Sequence, residues 1–201
     1  MNITSDMVKQ LRVKTGAGMM ECKEALTASD GDFDKAIDYL RKKGLSAATK
    51  RSSKAAKEGK ICCYVHMGGK IGVMVELNCE TDFVAKTDDF QAMGKDIAMH
   101  VAASNPTYLK PSEIPADTLE REKDIYRGQL QAEKKPEKIW DKIIEGKLNK
   151  FYEEVCLLNQ KFIKNPDITV ETLINNMIAK TGENIVLRRF ARFQLGEDIK
   201  A

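Results

Sequence analysis

The stretch Ile71-Gly72-Val73-Met74-Val75-Glu76-Leu77-Asn78-Cys79-Glu80-Thr81-Asp82-Phe83-Val84 decides how the rest of the chain is read. Its first residues alternate, with Ile71, Val73, Val75 and Leu77 on one face and Gly72, Met74, Glu76 and Asn78 on the other, the period of a half-buried strand. Ile61–Met67 is a second strand-like run, and Gly68-Gly69 between the two supplies positive φ at little steric cost, as in a two-residue hairpin. The spacing predicts a hairpin whose Ile71 face is the main core. Its second strand delivers Thr81, Asp82, Phe83 and Val84 to a connection before a helix, where a rigid scaffold can present them. A carboxylate beside an aromatic ring there has two readings. In one, Phe83 enters a groove of another protein while Asp82 disturbs or replaces a charge-assisted contact in it. In the other, Phe83 and Val84 plug the chain's own core at a helix start. Residue chemistry alone favours the second, because most Phe side chains are buried.

Composition bounds the rest. With 201 residues, 42% hydrophobic and 31% charged, the chain can bury a real core, as one main domain with a small appended one. Lys and Arg total 33 against 30 acids, and a net charge of +3 is too near balance to predict nucleic-acid binding from the overall field. Met1–Gln10 has no apolar core of signal-peptide length, and no later stretch supplies the ~18 apolar residues of a membrane span, so a cytoplasmic address is the default expectation. The cysteines (Cys22, Cys62, Cys63, Cys79, Cys156) show no C-x-x-C spacing, which supports neither a metal site nor a disulfide framework and predicts buried free thiols.

Outward from the hairpin, the first forty-five residues read as three short helices. Thr4 or Ser5 caps the first, Gly16-Ala17-Gly18 stops it, Met19–Leu26 forms the second, and Asp32 to Arg41-Lys42-Lys43 the third, with Gly44 as its stop. Ser46–Lys60 holds five basic residues against one acid and no aromatic ring. It reads as a basic linker over 46–60, the alternative being an RNA-binding arm, which stacking rings would normally strengthen. Thr87, Asp88 and Asp89 start a helix through Phe90, Met93, Ile97 and Val101, with His100 flanking the apolar stripe. His100 reads as a packed or surface residue. A hydrolase using His66, His100 or a free cysteine is a further alternative, without an identifiable nucleophile–base pair. Pro115–Ile163 reads as two antiparallel charged helices joined at Lys134-Lys135-Pro136, a helical hairpin over about 117–163 with Trp140 packed inside it. Thr169 caps a last helix closed by Gly182. Asn184–Leu195 then alternates as a final strand, with Ile185, Leu187, Ala191, Phe193 and Leu195 on one face, interrupted by Arg189, and Arg188 and Arg192 opposite.

The runs Glu76–Ala85, Thr15–Ala25, Met99–Ser104 and Glu145–Leu158 resemble segments of the translation elongation factor Ts family, and together they span nearly the whole chain. The resemblance implies that 1–45 is a three-helix module similar to the ubiquitin-associated fold, and that 61–201 is the core and dimerisation domain. The fold class is α+β: that module, the linker, then a small three-stranded antiparallel sheet packed with helices and a projecting helical hairpin. The implied function is guanine nucleotide exchange on elongation factor Tu in protein biosynthesis, with no covalent chemistry and no cofactor, metal, membrane or direct nucleic-acid partner. The implied contacts are Arg12, Met19, Met20, Thr81, Asp82, Phe83, Val84 and His100. Longer members of the family carry two copies of the core sheet unit and a further C-terminal helix. This chain carries one unit and resembles the short form, whose members make up the missing half by homodimerising.

Overall fold

The computed structural model describes residues 3–198; the outermost residues of the expected 1–45 and 61–201 spans, 1–2 and 199–201, lie outside it. Its elements are α1 (Ser5–Thr15), α2 (Met19–Ala28), α3 (Phe33–Arg51), β1 (Glu58–Val65), β2 (Ile71–Cys79), α4 (Asp82–Ala85), α5 (Asp88–Ser104), α6 (Ala116–Ala132), α7 (Trp140–Val155), β3 (Lys161–Phe162), β4 (Asn165–Thr169), α8 (Val170–Thr181) and β5 (Val186–Gln194). This is the α+β class expected. The chain divides into two compact units, Met1–Met99 with Glu171–Ala201, and His100–Val170, so the boundaries fall within α5 and at the start of α8.

In the first unit, α1–α3 close around Val8, Leu11, Cys22, Ala25, Leu26, Ala36 and Leu40. Thr4 caps α1 through Met7 N–H, and Asp32 caps α3 through the Asp34 and Lys35 amides. Gly16, at φ 71°, ends α1 in the left-handed conformation that glycine takes without strain. Gly44 does not end α3, which runs to Arg51. No left-handed turn forms there, and the helix-forming Ala47-Ala48 follow, so the helix propagates through the glycine.

The sheet has the order β1-β2-β5, antiparallel throughout. Gly68 and Gly69 both have positive φ, in a connection running from His66 to Lys70, longer than the two-residue turn expected. β1 starts earlier than Ile61: Gly59 pairs with Asn78, and a Cβ at Gly59 would lie 2.2 Å from the Leu77 carbonyl oxygen, so only glycine fits. Val73, Val75, Leu77 and Cys79 face inward and are buried. α5 reaches β1 through Gly94, where a Cβ would meet Cys62 Sγ at 2.3 Å.

β5 departs from the expected alternation. Leu77 pairs with Leu187 but Glu76 with Arg189, leaving Arg188 as an extra residue, a bulge that reverses the phase of the strand. Beyond it Phe190 and Arg192 stand opposite the inward Val75 and Val73, while Arg189, Ala191 and Phe193 stand opposite the outward Glu76, Met74 and Gly72. The outward face therefore carries Ile61, Val65, Met74 and Phe193, all exposed, with Phe193 at 65%. Glu76 and Arg189 form an ion pair on it, with Nε–Oε2 at 2.6 Å.

In the second unit, α6 and α7 pack around Leu130, Ile144 and Leu148, with Tyr126, Trp140 and Tyr152 at the edge. Trp140 Nε1–H donates to the Lys135 carbonyl at 2.9 Å, which closes the connection. The helix expected to reach Leu158 ends at Val155. Cys156 is extended, and the Leu157 and Leu158 amides donate to the Tyr108 and Leu109 carbonyls instead of continuing the helix. The β3–β4 ribbon follows, within a span expected to be helical up to Ile163.

His100 has no exposed surface and pins that ribbon. The Ile163 N–H donates to His100 Nδ1 at 3.2 Å, so the ring proton sits on Nε2 and points to Gln160 Oε1 at 3.0 Å. Gln160 in turn donates to the Glu154 carbonyl at 2.7 Å. Burial holds the imidazole below its ordinary value of 6.5, against the smaller raising effect of the Gln160 bond. A depressed folded-state value means that the unfolded chain takes up the proton first. The His100 contribution to stability is thus complete above pH 6.5 and is lost as pH falls through the folded-state value. In chemical denaturation from pH 8 to about pH 5, His100→Asn should remove part of the acid-side loss of stability seen in the unaltered chain; identical pH slopes would show that the imidazole is not held neutral by the fold.

Candidate protein-binding site

β2 ends at the buried Cys79, whose thiol donates to the Thr81 carbonyl at 3.1 Å. Burial, with the Glu183 charge as a smaller cause, pushes that thiol up to about 11, so it stays protonated. Thr81 caps α4, its hydroxyl oxygen accepting the Val84 N–H at 3.4 Å. In this single turn Ala85 is buried, Asp82 and Val84 are half-buried, and Phe83 points outward, 78% exposed. Of the two readings of Phe83, the ring is therefore not core in this chain. Asp82 is held by Lys86, with Nζ–Oδ2 at 2.5 Å, and that hydrogen bond keeps the carboxyl below the usual range and ionised.

Glu183, which no local pattern singles out, takes both the N–H and the hydroxyl of Thr81 on its carboxylate, at 3.1 and 2.6 Å. Asn184 N–H donates to Glu80 Oε1 at 2.7 Å, and its side-chain amide donates to the Lys54 carbonyl at 2.7 Å. The Arg51 guanidinium lies 3.7 Å from the same Glu80 oxygen. The only sequence signal near this turn is Gly182, at φ 70°, which ends α8 just before Glu183.

A second exposed patch surrounds the turn between α1 and α2. Met20 is 75% exposed, Met19 and Arg12 are exposed, and Val13, which sequence reasoning passed over, is among the most exposed apolar residues. Thr15 shapes the turn by donating to the Leu11 carbonyl and accepting the Ala17 N–H, while Glu21 accepts the Gly18 N–H. The Asn176 amide donates to the Thr15 carbonyl at 3.0 Å and ties the module to α8.

The structure thus gathers Thr81, Asp82, Phe83 and Val84 on one turn and Arg12, Met19 and Met20 at another, both in the first unit. His100 belongs to the second unit and has no surface with which to touch a partner. Within the basic stretch, Arg51 faces Glu80 and Lys60 donates to Gln91 at 2.5 Å. Among the cysteines, Cys63 is exposed and the others are buried, so the expectation of buried thiols fails only where strand alternation turns Cys63 outward. Among the described residues no cluster of three or more His, Cys, Asp or Glu could hold a metal ion. No helix among them is long and apolar enough to cross a membrane.

Comparison with known proteins gives one answer. The family described as Elongation factor TS matches residues 2–177. An elongation factor Ts of Syntrophus aciditrophicus is 80% identical over the full length of both chains. That of Heliobacterium modesticaldum is 57% identical over 98% of this chain and 92% of its own, and that of Thermodesulfovibrio yellowstonii 58% over 98% of each. With a family match over most of its length and a relative 80% identical from end to end, the chain belongs to the elongation factor Ts family.

Proposed function

We propose that this chain is a guanine nucleotide exchange factor that binds elongation factor Tu and promotes release of GDP. One observation carries the reading: Phe83 is 78% exposed on a single helical turn whose capping residue, Thr81, is itself held by Glu183. A fold that leaves a Phe ring in water leaves about 1.5–3 kcal/mol of burial unrealised, available to a partner with a groove for it. Phe83 enters between helices of the GTPase. Asp82, exchanging Lys86 for groups of the partner, disturbs the support of the Mg²⁺ there, and loss of the ion removes charge neutralisation from the GDP phosphates. The thermodynamics are those of linkage: a protein that prefers the nucleotide-free GTPase weakens GDP by the same factor by which GDP weakens it. Arg12, Met19 and Met20 form the second contact, where flexible thioethers suit a protein surface. Thr81 and Val84 support the tip, and His100 acts from inside by holding the ribbon that follows Gln160. The RNA-binding alternative has less support, because Arg51 and Lys60 are engaged within the chain and the stretch carries no ring for stacking.

The chain also acts as a homodimer through the outward face of its sheet. Ile61, Val65, Met74 and Phe193 leave that face apolar, and a sheet apolar on both sides is one that is covered on both. The face carries its own charge complement, Glu76 and Arg189, so a second copy related by a two-fold axis can meet it with opposite charges exchanged.

Phe83→Ala should lower catalysed release of fluorescent GDP from elongation factor Tu by about thirtyfold, the loss of an anchor worth ~2 kcal/mol, with stability changed by less than about 0.5 kcal/mol. An unchanged rate would remove the wedge. In sedimentation equilibrium the chain should be dimeric at micromolar concentration, and Met74→Glu combined with Phe193→Ser should make it monomeric with unaltered circular dichroism; a monomeric wild type would refute the sheet-face dimer.

A further inference from the structure

α4 is a single turn of four residues, too short to hold its own conformation, because helix nucleation fixes several dihedrals for one hydrogen bond. Something outside it must fix the direction in which Phe83 points. The bonds that do so come from the turn between α8 and β5, 102 residues away at Glu183. The Glu183 carboxylate receives the Thr81 N–H on one oxygen and the Thr81 hydroxyl proton on the other. Since the hydroxyl has one proton and that proton goes to Glu183, its lone pairs are left for the Val84 N–H, the bond that caps α4. The neighbouring residues repeat the arrangement in reverse, with the Glu80 carboxylate accepting the Asn184 N–H. Two consecutive residues of each segment are thereby cross-braced, and charge-assisted bonds make the brace stronger than neutral ones would. Asn184, buried, extends the brace through its side chain to the Lys54 carbonyl, just beyond the end of α3.

We propose that Glu183 is a positioning residue for exchange: it orients the Phe83 turn before a partner arrives, and with Glu80 and Asn184 it links that turn to the segment leaving the three-helix module. The proposal rests on the exchange role given above. Its physical content is preorganisation. A turn that is already in its binding conformation does not lose conformational freedom on association, whereas a loose one does, and the affinity falls accordingly.

Measurements on Glu183→Ala and Glu183→Gln test it. In the free chain, amide hydrogen exchange at Thr81 and Val84 should speed up while Val75, in the central strand, stays protected; unchanged exchange at Thr81 and Val84 would overturn the brace whatever the partner does. Catalysed GDP release from elongation factor Tu should fall by about tenfold in the otherwise unaltered chain, and by less than about twofold when Phe83→Ala is already present, because the effect passes through Phe83. Equal losses in both backgrounds would mean a general structural role and would overturn the proposal. Glu183→Gln, which keeps one acceptor oxygen, should recover part of the rate, and no recovery would count against the brace. Failure of the unaltered chain to accelerate release would sink the exchange role itself, and with it the proposal, even if the amide exchange showed the brace.

Discussion

Pairing of β2 with β5 brings together residues as far apart in the chain as Glu76 and Arg189, separated by 113 positions, and the functional end of the molecule is built on it. The pairing places the end of β2, from which Thr81 and Phe83 emerge, beside the turn that precedes β5 and carries Glu183 and Asn184. Closing so long a loop costs conformational entropy, though the cost grows only slowly with length. What offsets it is the inward row Val73, Val75, Leu77 and Cys79 with Leu187 opposite, all of them buried. The bulge at Arg188 belongs to the same design. By reversing the phase of β5 it turns Ala191 and Phe193 outward, which makes the second face of the sheet apolar as well.

The site differs from this core in how its apolar groups are used. Ala85 and Cys79 anchor the Thr81–Val84 turn inside the fold, while Phe83, between them in the chain, is left out. Its exposure is not slack, because the turn under it is held by Thr81, Glu183 and Lys86. The same division recurs around α1 and α2, where Leu11 and Cys22 fill the module and Val13 and Met20 face solvent. In both places a rigid backbone presents apolar side chains that the chain's own core does not take up.

Much of this architecture was legible in the sequence because it is encoded by local periodicity. The alternation from Ile71 to Leu77, the glycines at 16, 68 and 69, and the caps at Thr4 and Asp32 each have a short-range physical cause. What was not legible depends on contacts distant in the chain. Gly44 looked like a stop, yet the Ala-rich residues after it carry α3 on. Leu157 and Leu158 fit a helical stripe, yet their amides find the Tyr108–Leu109 backbone. The bulge at Arg188 is set by register with Glu76 and leaves no compositional mark. For the site, Asp82 and Phe83 stood out by position, but burial statistics favoured placing Phe83 inside. Glu183 was invisible because its partner lies 102 residues away, and nothing local distinguishes a histidine with no surface, such as His100, from one at the rim of an apolar stripe.

The most direct test of the account is a comparison of equilibrium affinities, measured by titrating this chain into elongation factor Tu in its nucleotide-free and GDP-bound states. The account predicts tighter binding to the nucleotide-free state, by the same factor by which the chain weakens GDP in a separate titration. Equal affinity for the two states would contradict it, because a protein that does not distinguish them cannot shift the nucleotide.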